Sequence, residues 1–161
     1  MIKKILIVLL IALVVIQFFH PAKNQSGGDQ PNAIAKAYPV PQDVADILKV
    51  SCNDCHSSNT AYPWYNNVQP VAWWLKNHVD DGKKELNFDE FASYTPKRAR
   101  KKMNEIIEQI KEGEMPLNSY LWIHRNAKLS DAQKQTVLNW AQQLRDSIAL
   151  KNKLPPLEEK K

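Results

Sequence analysis

The sequence predicts an all-α domain standing behind one apolar N-terminal helix. Three observations carry that expectation. No stretch alternates apolar and polar residues in the period-two pattern of a half-buried strand. Several stretches repeat apolar residues at the i, i+3, i+4 spacing of a helix face. Helix start and stop signals bracket those stretches.

In chain order, Lys3 and Lys4 precede an apolar run from Ile5 to Ile16 that continues past Gln17 to Phe18 and Phe19. A basic flank before such a run is an export signal. No small-x-small cleavage site follows it, so residues 1–20 are expected to be an uncleaved signal anchor, a transmembrane helix. Its lysines would stay in the cytoplasm. That places the protein in the inner (cytoplasmic) membrane through a single pass, with the remainder in the periplasm. Residues 21–38, with Asn24-Gln25-Ser26-Gly27-Gly28-Asp29-Gln30-Pro31, read as a flexible linker. A folded domain is expected over 39–150 and a loose tail over 151–161.

Within the domain, a first helix opens at Pro41 and carries Val44, Ile47 and Leu48 straight into Cys52. A second runs from Pro70 through Val71, Trp73, Trp74, Leu75 and Val79 to Gly82. A third has Thr95 as cap, Pro96 in its first turn, the stripe Met103-Ile106-Ile107-Ile110, and Gly113 where a left-handed cap belongs. The last opens on the capping box Ser130-Asp131-Ala132-Gln133 and carries Val137, Trp140, Ala141, Leu144 and Ile148.

The chain has 161 residues and a net charge of +5, with its densest basic run at Lys97-Arg98-Ala99-Arg100-Lys101-Lys102. No stacking aromatics interleave with that run, which argues against nucleic acid as a partner. Only two cysteines are present, within four residues of each other, so a disulfide framework is excluded.

Those two cysteines form Cys52-Asn53-Asp54-Cys55-His56. Thiols three apart on a helical turn share a face and can reach the vinyl edge of one porphyrin. The adjoining His56 can then offer a ring nitrogen to iron, and this spacing is the haem c attachment signature. Rival readings use the same atoms. A thiol–disulfide pair would want a βαβ surround, and none is visible. A zinc site would need Cys52, Cys55, His56 and a distant fourth ligand, His78 or His124.

Iron held by one histidine calls for a partner on its other face, and thioether sulfur is a suitable donor. Met103 belongs to an apolar stripe and reads as core. Met115 follows Gly113-Glu114 and precedes Pro116-Leu117, in a loop that can aim it at a fixed point. Met115 is the expected distal ligand, with His124 as its substitute. His20 and His78 have no assigned role. Five tryptophans and five tyrosines are many for this length. Tyr62-Pro63-Trp64-Tyr65 and Trp73-Trp74 suit the walls of a porphyrin pocket or the filling of a core.

The layout resembles a haem-binding domain family related to cytochrome c. The resemblance rests on the Cys52–His56 pentapeptide, Tyr62-Pro63-Trp64-Tyr65, Pro70-Val71-Ala72-Trp73-Trp74, Leu86-Asn87-Phe88, Gly113-Glu114-Met115-Pro116, and Leu129-Ser130-Asp131-Ala132-Gln133 with Trp140. It implies a cytochrome c-like all-α fold and one covalent haem c. Cys52 and Cys55 would be the thioethers, His56 the proximal iron ligand and Met115 the distal one. The expected function is single-electron transfer to a redox partner, an acidic protein steered by the basic run, and not enzymatic catalysis. A sensor with a displaceable distal ligand is the alternative. A peroxidase built on His124 and Arg125 is a further one.

Overall fold

The structure, a computed structural model, describes residues 1–157, so Glu158-Glu159-Lys160-Lys161 of the expected tail lie outside it. The described residues are helical and contain no strand. The helices are α1 (Ile2–Ile16), α2 (Ile34–Ala37), α3 (Gln42–Ser51), α4 (Asn53–His56), α5 (Val71–Glu85), α6 (Pro96–Glu112), α7 (Asn118–Leu121) and α8 (Asp131–Lys151). Short 3-10 turns at Trp64–Asn67, Phe91–Ser93 and Arg125–Ala127 link them.

The capping signals locate the two long helices. Thr95 accepts from the Arg98 amide, and Gly113 closes α6 at φ 77° in the left-handed region. At α8, Gln133 N donates to Ser130 Oγ over 3.2 Å while Gln133 Oε1 accepts from Ser130 N at 2.9 Å. Both reciprocal bonds of a capping box are therefore made.

Between these caps, α6 and α8 bury their stripes against each other and against α3. Met103, Ile107 and Ile110 of α6 meet Val137, Trp140, Ala141, Leu144 and Ile148 of α8, with Val44, Ile47 and Leu48 closing the group. Each large aliphatic or aromatic side chain buried there contributes about 1.5–3 kcal/mol. Trp140 Nε1 donates to the Pro39 carbonyl at 3.2 Å, so its one polar atom is satisfied inside the core. Met103 is fully buried here, the core role its stripe implies.

Two expectations are corrected. Among the described residues no helix is long and apolar enough to cross a membrane. The 15 residues of α1 span about 22 Å at 1.5 Å per residue, short of the ~30 Å hydrocarbon thickness. Length is the physical reason: Phe18 and Phe19 extend the apolar run in sequence but lie beyond the helix. The N-terminal membrane anchor in the expected fold, and the single-pass inner-membrane location resting on it, are both overturned.

The second concerns α5, which continues past Gly82 to Glu85 instead of stopping there. Residues 21–38, expected as linker, also carry order. Asn24 Nδ2 donates to the Ser57 carbonyl and Thr60 Oγ1, both at 2.9 Å, and Gln25 forms an antiparallel bridge with Asn59. This stretch is laid against the loop that leaves the cysteine motif.

Candidate haem-binding site

The motif sits where α3 turns into α4. Cys52 breaks the helix at φ −130°, and the His56 amide then donates back to the Cys52 carbonyl at 2.9 Å. That tight turn puts both thiols and the imidazole on one side of the chain. Helix α5 lies directly against it. A Cβ placed on Gly82 would fall 2.6 Å from the Cys55 carbonyl oxygen and 2.9 Å from Cys55 Cβ. Only a residue without a side chain permits that approach.

The closeness has a consequence for His56. Its Nδ1 lies 2.9 Å from the Gly82 carbonyl and 3.1 Å from that of Leu86. Two carbonyls can only accept, so Nδ1 carries the proton and the lone pair of the neutral ring resides on Nε2. Burial pushes the imidazole below its ordinary pKa, against the opposing pull of those carbonyls. The Phe88 amide donates to the His56 carbonyl at 2.8 Å, clamping the residue from its backbone as well. This is how a ligating histidine is oriented: one nitrogen fixed by the protein, the other presented.

Two adjoining cavities of about 280 and 380 Å³ share Cys52, His56, Glu85 and Met115 among their lining residues. Cys55 lines the smaller. The larger is walled by Leu48, Phe88, Ile106, Ile110 and Val137. Met115 is delivered by the cap of α6: after Gly113 turns left-handed, the Glu114 and Met115 amides both donate to Gln109 O, at 3.0 and 3.4 Å. All four residues expected to hold haem are therefore gathered on one pair of cavities.

Several expectations fare differently. His124 lines neither of these two; its ring stacks on Tyr120 at 4.1 Å and borders a third cavity of about 80 Å³, which shares Asp54, Cys55, His78, Leu117 and Tyr120 with the 280 Å³ one. Arg125 lines neither cavity, so the pair named for a peroxidase stands off them. His78 borders the smaller cavity with Nδ1 3.0 Å from the Trp74 carbonyl. Tyr62, Tyr65 and Trp74 line the 80 Å³ cavity, while Trp64 is 78% exposed. The walls of the two larger cavities mix aliphatic side chains with Phe88, Tyr120 and charged residues such as Asp81, Glu85, Glu105 and Lys102.

Neither thiol lies in surroundings that favour its thiolate. Burial, followed by the neighbouring Cys55, pushes Cys52 up to about 12. Burial and then Asp54 push Cys55 up to about 11. Reactive or metal-binding thiolates lie in electropositive surroundings that act in the opposite direction. Among the described residues, no three His, Cys, Asp or Glu are grouped so as to hold a metal ion.

A family model described as a haem-binding domain matches residues 11–143. The chain belongs to the haem-binding domain family. It is a haem protein, and the match takes in residues 21–38, which pack on the motif loop. No curated protein and no solved structure matches it. The residues fit the group: a half-buried imidazole with its lone pair on Nε2, two thiols beside it, a thioether on the same cavities, and Leu48, Phe88, Ile106, Ile110 and Val137 in the walls.

Some residues of this haem-binding domain had no signal in the sequence. Asp54 is one: its Oδ2 accepts from Tyr120 Oη at 2.7 Å and its Oδ1 from the Ala61 amide at 3.0 Å. It ties the motif to α7 and to its own exit loop. We expect Tyr120→Phe to cost about 1–3 kcal/mol, the range for a hydrogen bond to a charged group, read as a lowered urea midpoint. An unchanged midpoint would dismiss the tie.

Proposed function

We propose that this haem-binding domain is a c-type electron carrier. Cys52 and Cys55 would be its thioether links, and His56 Nε2 and Met115 Sδ would hold the iron. The two thiols would hold the group covalently through its vinyl edge. Haem bound there supplies an iron that cycles between ferric and ferrous states. The chain's part is to hold two ligands that suit both states, beside walls that include Leu48, Phe88, Ile106, Ile110 and Val137. The observation that carries the proposal is His56, anchored through Nδ1 on two carbonyls and sharing its cavities with both the thiols and Met115. The exposed side of the basic run, Lys97, Arg98 and Lys101, offers positive charge to an acidic redox partner.

The test is covalency. Produced alongside a haem c maturation system, the protein should keep its haem on a denaturing gel, and the Cys52→Ser, Cys55→Ser double variant should lose it. Haem that leaves the denatured wild type would overturn the thioether assignment while leaving the family's haem binding intact.

A further inference from the structure

Lys102 on α6 is an unusual lysine. It is 9% exposed, and its Nζ lies 2.7 Å from Glu105 Oε2 and 3.0 Å from Glu85 Oε2. It lines the 380 Å³ cavity together with Cys52, His56 and Met115. Among the described residues lining that cavity and its 280 Å³ neighbour, it is the sole lysine or arginine. An ammonium this buried requires carboxylate partners to offset its desolvation.

The two partners are not equivalent. Glu105 sits one turn further along the same helix, with its side chain 32% exposed. Glu85 comes from the end of α5, is 72% exposed, and borders both cavities. Glu85 already has most of its side chain in water, so it can leave the lysine provided that another carboxylate takes its place beside the buried ammonium.

Haem carries two propionate carboxylates, and its cavity provides one buried cation. We propose that Lys102 is the propionate-binding residue of this haem site, with a propionate displacing Glu85 as the lysine's second carboxylate. The exchange is carboxylate for carboxylate, so the buried ammonium stays compensated throughout. Glu105 keeps it aimed into the cavity, and Glu85 turns outward. The inference rests on haem occupying the His56 cavities, and it adds a determinant of haem orientation that the cysteine motif does not supply.

Two measurements test it. In the haem-loaded full chain, Lys102→Gln should shift the propionate bending band of the resonance Raman spectrum, and Lys102→Arg should restore it toward wild type. A band unmoved by Lys102→Gln overturns the proposal. The second needs no variant. Haem-free wild-type protein should take up iron protoporphyrin at least about tenfold more tightly than its dimethyl ester, the scale of one charge-assisted hydrogen bond. Equal affinities overturn the proposal even if Lys102→Gln does not fold. Failure of the site itself looks different: neither porphyrin would then give a spectrum that changes in His56→Ala.

Discussion

Gly82→Ala should destabilise the protein and cut its haem content, although alanine is the better helix former. In an exposed helix interior this change stabilises by about 1 kcal/mol. Here the new methyl carbon meets the Cys55 carbonyl oxygen at 2.6 Å and Cys55 Cβ at 2.9 Å. Backbone cannot yield as the tip of a flexible side chain can, so α5 must move away from the motif. Overpacking of this kind costs about 1–3 kcal/mol. The movement also carries off the carbonyl of residue 82, the nearer acceptor of His56 Nδ1 at 2.9 Å. The imidazole then loses the contact that fixes its tautomer and direction. Two readouts should change together. The urea midpoint of the haem-free chain should fall, and haem retained per polypeptide should fall with it. An alanine variant as stable as wild type would show that the contact relaxes freely and is no constraint on the site.

The same glycine marks the limit of what could be read in the sequence. Thr95, Gly113 and Ser130 act through their own backbone neighbourhoods, so their roles as caps were legible and the structure makes those caps. Gly82 looked like another stop signal, because the sequence does not show which helix a glycine faces. A glycine inside a helical pattern can equally mean close backbone approach, and here it does. The pentapeptide and Met115 could be singled out because their chemistry is unusual, and the fold gathers them. The carboxylate of Asp54, the Leu86 carbonyl and the burial of Lys102 depend on partners distant in the chain. The aromatic clusters were open to two readings for a related reason. Their composition suits a porphyrin wall or a core, and only placement shows Trp64 in solvent and Trp74 on the small cavity that meets the 280 Å³ one at Cys55.

The N-terminal segment teaches the converse. Hydropathy along residues 5–19 suggested a span, but a span is a length in ångströms, and the helix ends at Ile16. The family match beginning at residue 11, with the packing of Asn24 and Gln25 on the motif loop, ties the part after this helix to the haem site.

On the proposed ligation, Met115→Ala should leave the haem iron open to exogenous ligands. Sulfur ligation opposite histidine favours the ferrous state and raises the reduction potential. The variant should therefore show a lower midpoint, lose the weak near-infrared sulfur–iron band, and bind CO in its ferrous form. His56 is held independently, by carbonyls of residues 82 and 86, so covalent haem and the proximal ligand should survive the change. Stability should change little beyond the loss of the iron bond, because Met115 is only half-buried and lies outside the core packed by α3, α6 and α8. His124 would have to leave its stack on Tyr120 to replace it. The wild-type protein supplies the deciding control. Ferrous wild type indifferent to CO is what permanent ligation and electron transfer require. Ready CO binding by wild type would mean that Met115 is displaceable, and the domain would then answer to a ligand and not to a redox partner. A near-infrared band that persists in Met115→Ala would remove Met115 from the iron altogether.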